Sequence, residues 1–95
     1  MCLVSSLFRA NRALRDEDIK LIEKELRPML AGSPGFKHWF WAPAGERETL
    51  SVSVWDTKAH ALAAREKTTA WNTEHFGSAI VGDPERYEGE VRVTA

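Results

Sequence analysis

The pattern of apolar and polar positions changes period several times along the chain. Cys2-Leu3-Val4-Ser5-Ser6-Leu7-Phe8 is a short apolar run of strand type, and beyond Asp16-Glu17-Asp18 the apolar residues Ile19, Ile22, Leu26, Met29 and Leu30 fall at helical spacing. The acidic triplet supplies a capping side chain and negative charge for the helix N-terminus. Pro28 sits late in this helix, where it removes a backbone donor and is expected to bend or tighten the last turns, and Gly32 fits a C-cap. After Pro34-Gly35 an aromatic strand, Phe36 to Trp41, is followed by an irregular connection at Pro43-Ala44-Gly45-Glu46 and a third strand, Leu50 to Trp55. Asp56 or Thr57 caps an alanine-rich second helix that runs to about Phe76. Gly82-Asp83-Pro84 then leads into a last strand from Tyr87 to Thr94, with Tyr87, Gly89, Val91 and Val93 on one face.

This βαββαβ order predicts an α+β, ferredoxin-like domain: a four-stranded antiparallel sheet with two helices on one face. Alternation puts Phe36, His38 and Phe40 on one side of strand two and Lys37, Trp39 and Trp41 on the other; in strand three it separates Leu50, Val52 and Val54 from Ser51, Ser53 and Trp55. Both sides of the hairpin carry bulk, so the face without helices, on which tryptophans are expected, needs a cover. A homodimer in which two sheets meet supplies one and forms a dimeric α/β barrel.

Composition narrows the function classes. A chain of 95 residues is one small domain, 1–95, with a core that gains from a partner. Its 13 basic and 14 acidic residues give a net charge of -1, so neither a nucleic-acid backbone nor an anionic membrane has a footprint to bind, and an RNA-reading sheet also lacks its aromatic signature run. Cys2 is the one cysteine, which fits a reducing, cytoplasmic setting without a disulfide. No apolar run reaches the roughly 18 residues of a membrane span. Met1 to Arg15 is arginine-bearing and free of acids, as transit peptides are, but Cys2 to Phe8 reads better as the first strand.

Pro34-Gly35-Phe36 opening strand two, Ser51-Val52-Ser53-Val54-Trp55-Asp56 running into a helix cap, the helix start at Ala59 to Ala64, Ala70-Trp71-Asn72 and the closing Glu88-Gly89-Glu90-Val91 together resemble the antibiotic-biosynthesis-monooxygenase-like domains of the dimeric α/β-barrel superfamily. The resemblance spans the chain. It implies a homodimer with a small-molecule pocket, and activities ranging from cofactor-independent oxidation of polycyclic phenols or quinols, through haem breakdown, to none assigned. The haem-degrading pattern is not met: strand one offers Ser5 and Ser6 where that branch has asparagine, and the tryptophan position falls near Ala64.

Candidate chemistry concentrates on helix two. Ala61, Ala64, Thr68, Trp71 and His75 share one helical stripe, which can border an apolar cavity together with whichever of His38 or Trp39 points toward the helices. In the monooxygenase reading, Trp71, Trp39 and Thr68 bind a planar aromatic ligand, His75 or His38 accepts a phenolic proton, and Asn72 bonds a ring carbonyl. The electron-rich anion then reduces oxygen with no cofactor and no metal. Each residue also has a structural role available: Trp71 as a core anchor, His75 as a charge at a helix C-terminus, His38 as a satisfied strand histidine and His60 as a solvated side chain. The three histidines lack metal-ligand spacing. A non-enzymatic dimeric binding or accessory protein is therefore the alternative expectation.

Overall fold

The computed structural model describes residues 1–95. Strands β1 (Cys2–Arg9), β2 (Phe36–Pro43), β3 (Glu48–Trp55) and β4 (Glu85–Glu90) form one sheet in the order β2-β3-β1-β4. All pairings are antiparallel, as the ferredoxin-like reading requires. β4 starts two residues earlier than its alternation predicts and stops at Glu90, because Glu90 already faces Cys2, the first residue of its partner strand. Beyond it Val91 makes one backbone bond to Met1 and Val93 is exposed.

The first helix is continuous but not uniform: α1 (Asp16–Leu21), a π-helical segment (Ile22–Leu26) and α2 (Arg27–Ala31). Pro28 lacks an amide donor and its ring crowds the carbonyl four residues back, so the preceding turn widens rather than tightens; the Arg27 amide bonds the carbonyl of Ile22, five residues back. Asp18 caps the start by accepting from the Arg15 amide at 2.9 Å. The second helix, α3 (Lys58–Phe76), is capped by Thr57, whose hydroxyl accepts from the His60 amide at 3.2 Å. Gly35 (φ 79°) makes the turn that precedes β2, and a Cβ there would overlap the Asp56 carboxylate and His60 ring that pair at 2.7 Å beside it.

Both helices cover one face of the sheet, where Cys2, Val4 and Trp55 pack against Ile22, Leu26, Leu30, Ala61, Ala64 and Trp71. A bulge between Phe36 and His38 shifts the register of β2, so Phe36 joins Trp39 and Trp41 on the helix side instead of opposing them. Trp55 and Trp71 belong to the same core, which leaves the open face without tryptophan. The reason is steric: α3 presents Ala61 and Ala64 to the sheet, so the sheet's own indoles must fill the space between the layers. The open face instead carries Leu3, Leu7, Leu50, Val52 and Val54, with Phe40, Val52, Ser5 and Tyr87 aligned in one row across all the strands.

Candidate functional site

Between the sheet and the two helices a half-open cleft of about 70 Å³ is walled by Phe8, Trp41, Ile22, Leu26 and Phe76. One end is closed where the segment after β1 meets the segment after α3: Asn11 bonds the carbonyls of Ala79 and Ser78, and the Val81 amide bonds that of Arg9. Few polar groups enter this apolar space. Thr68 and Asn72 come from α3, Thr49 and Ser51 from β3, Arg12 from the loop after β1 and Asp18 from the start of the first helix. The Thr68 hydroxyl donates to the Ala64 carbonyl at 2.9 Å, which orients its lone pairs; Asn72 makes no such side-chain bond within the protein.

Arg12 and Asp18 form a two-pronged pair at 2.7 and 3.3 Å, with Asp18 buried. The bond from Arg12, then that from the Arg15 amide, hold the Asp18 carboxyl below the ordinary carboxylate range despite its burial. Asp18 is thus a fixed anion and a poor proton acceptor. Because its folded value is lowered, its contribution to stability is fully present above about pH 4, the unfolded value, and is lost as pH falls through the folded one. Asp18→Asn is therefore expected to cost most stability at neutral pH. In urea titrations at several pH values, its gap to the wild type should narrow below about pH 4, and a gap independent of pH would refute the assignment.

The cleft draws in some of the residues singled out in the sequence and leaves others outside. Thr68 and Asn72 line it. Trp39, rather than His38, points toward the helices, where its indole donates to Ser51 at 2.9 Å beside a small inner cavity. His38 is on the open face, stacked on Phe40 with ring centroids 6.5 Å apart. Trp71 and His75 are adjacent as their spacing predicts, stacked at 4.3 Å, but neither reaches the cleft. They face the π-helical segment, where Glu25 accepts from the Trp71 indole at 3.2 Å and pairs with His75 Nε2 at 3.2 Å; His75 Nδ1 lies 2.9 Å from the Trp71 carbonyl oxygen. Both ring nitrogens of His75 are thus engaged away from the cleft. Arg12, Asp18 and Trp41 are among the lining residues that sequence reasoning missed, with Phe8 and Phe76 beside them. Trp41 shares the alternation of Trp39 and was legible; the acid three residues into a helix was seen only as a cap.

No family model matches the sequence, and no curated protein does. The fold, by contrast, has many solved counterparts. A protein of unknown function from Nitrosomonas europaea superposes with a TM-score of 0.79 at 11% identity, over 99% of this chain and 91% of that one. The monooxygenase ActVA-Orf6 of Streptomyces coelicolor, solved with nanaomycin D, gives 0.74 at 12% identity over 99% and 89%. SnoaB of Streptomyces nogalater, a cofactor-independent oxygenase, gives 0.73 at 12% identity over 98% and 94%. The chain shares the ferredoxin-like fold of these proteins. Identities at this level establish the architecture, and the chemistry has to be argued from the cleft itself. No helix is long and apolar enough to cross a membrane.

Proposed function

We propose that the protein is a homodimeric, small-molecule-binding domain that oxidises an aromatic or quinol-like compound with dioxygen and no cofactor. The observation that carries this reading is the cleft, which combines aromatic walls from Phe8, Trp41 and Phe76 with an unengaged amide, Asn72. A planar ring seats against Trp41, and Asn72 donates to an oxygen that gains negative charge as the substrate ionises. With His38 and His75 outside the cleft and Asp18 held as a stable anion, the substrate must be acidic enough to enter ionised or to lose its proton to water. For an anthrone-like methylene the balance closes as follows: the carbon loses two hydrogens, one oxygen atom of dioxygen becomes its carbonyl, and the other leaves with both hydrogens as water.

Oxygen uptake by metal-free protein with a panel of anthrone-like and dihydroxynaphthalene-like compounds tests the proposal. Turnover above the uncatalysed rate is expected, falling by about 10²-fold or more in Asn72→Ala, the order found when one oxyanion donor is removed. His75→Ala should keep most of the activity. A non-catalytic binding or accessory protein is the second reading. It is favoured by the cleft's volume of about 70 Å³, well under the roughly 300–1,000 Å³ of pockets that enclose drug-sized ligands. Absence of turnover across the panel, with saturable ligand binding retained, would select it.

A further inference from the structure

Two arginines, Arg65 on α3 and Arg86 on β4, lie near each other with no carboxylate in ion-pair contact with either. Arg86 projects from the helix-facing side of β4, in the strand row that also contains Ser6. Its Nη2 donates to the Thr69 hydroxyl at 2.7 Å, and that hydroxyl donates in turn to the Arg65 carbonyl at 2.8 Å, so Thr69 ties the two arginine positions together. The Arg86 Nε–H is buried, and no protein group accepts from it.

Neither guanidinium belongs to any of the ion pairs in the fold. Glu88, two residues along β4 on the same face, is turned toward Lys58 at 3.8 Å. Burial first, and then repulsion from Arg65, lower the pKa of Arg86, with only Asp83 opposing them. A buried donor without an acceptor costs free energy, and two neighbouring cations add to that cost. An oxyanion between them would relieve both.

We propose that Arg65, Thr69 and Arg86 form a binding site for the oxyanion of a small molecule, a carboxylate or phosphate, between β4 and α3. The planar guanidinium fork matches either group, and once the partly exposed Arg86 side chain turns outward, Nε–H with a free Nη hydrogen forms one bidentate edge. Arg65 supplies the second charge. The inner cavity that Arg65 borders has only about 20 Å³, enough for one water, so the oxyanion binds outside it. The site does not depend on the oxygenase reading.

The test is a proton–nitrogen correlation spectrum of the arginine Nε–H groups, recorded at constant ionic strength during titration with inorganic phosphate and separately with benzoate. A saturable downfield shift of the Arg86 signal with at least one anion is expected, with little change at Arg12. Saturation by both anions marks a general oxyanion site, and saturation by benzoate alone marks a carboxylate site. Arg65→Gln should weaken binding about tenfold, and Arg86→Lys, which keeps the charge and loses Nε–H, by a similar factor. Arg86→Met separates binding from a structural role: without the anions its melting temperature should equal or exceed that of the wild type, and it should lose the rise that phosphate or benzoate gives the wild type. Three results would overturn the proposal: no saturable shift with either anion, equal shifts at Arg12 and Arg86, or an anion-free Arg86 signal that moves with protein concentration. The last would assign the acceptor to a second copy of the chain.

Discussion

Replacing Trp71 by alanine should destabilise the protein by about 3–5 kcal/mol, the range for truncating a core aromatic. The ring is 8% exposed and packs with Phe76 at 5.6 Å as well as with His75, while its N–H reaches across to Glu25 on the other helix. Truncation removes the packing of the indole and the bridge between helices together, and the small residues above it, Ala61 and Ala64, cannot collapse into the void. His75→Ala should cost under about 1 kcal/mol, because its partner Glu25 is 42% exposed and such pairs are largely screened by solvent. Urea denaturation at one protein concentration distinguishes the two roles. A Trp71→Ala effect below about 1 kcal/mol would mean that the indole is not a core anchor.

The sequence carried the order of elements because each one follows a local rule: alternation in β3, a threonine cap before α3, apolar residues at helical spacing before Pro28. Where a local feature had two physical outcomes, the pattern could not choose between them. Pro28 is compatible with a tight turn or a wide one, and the wide one occurs here with Ile22, Leu26 and Leu30 all buried. The bulge at Lys37 reverses the side on which Phe36 sits, and no composition rule marks it. The candidate site was half legible for the same reason. Helical spacing put Thr68, Trp71 and His75 on one stripe, but a stripe about 100° wide spans both the cleft and the inter-helix seam. Thr68 falls in the first and Trp71 with His75 in the second. Arg12 lies in a loop where periodicity says nothing, and its meaning comes only from Asp18.

The second large effect concerns assembly. Phe40, Tyr87 and Leu50 are 68%, 67% and 41% exposed, and they share the open face with Leu3, Leu7, Val52 and Val54. An apolar surface of this breadth is rarely left to solvent, and a second copy presenting the same face is the partner that our homodimer proposal supplies. Arg9, paired with Glu85 at 3.2 Å and Glu48 at 3.9 Å, stands at one rim of the face, where polar contacts tolerate water. We expect sedimentation equilibrium at micromolar concentration to give twice the 10.7 kDa chain mass, with an interface above about 1,200 Å² in total. Phe40→Glu combined with Tyr87→Glu places acidic groups on the central row of both sheets and should return the mass to that of one chain. Because Trp39, Trp41, Trp55 and Trp71 all lie on the helix side, their emission should hardly change on dissociation, so a folded monomer can be told from an unfolded one. A wild-type monomer with native tryptophan emission would remove the dimer and leave the open face without its proposed cover.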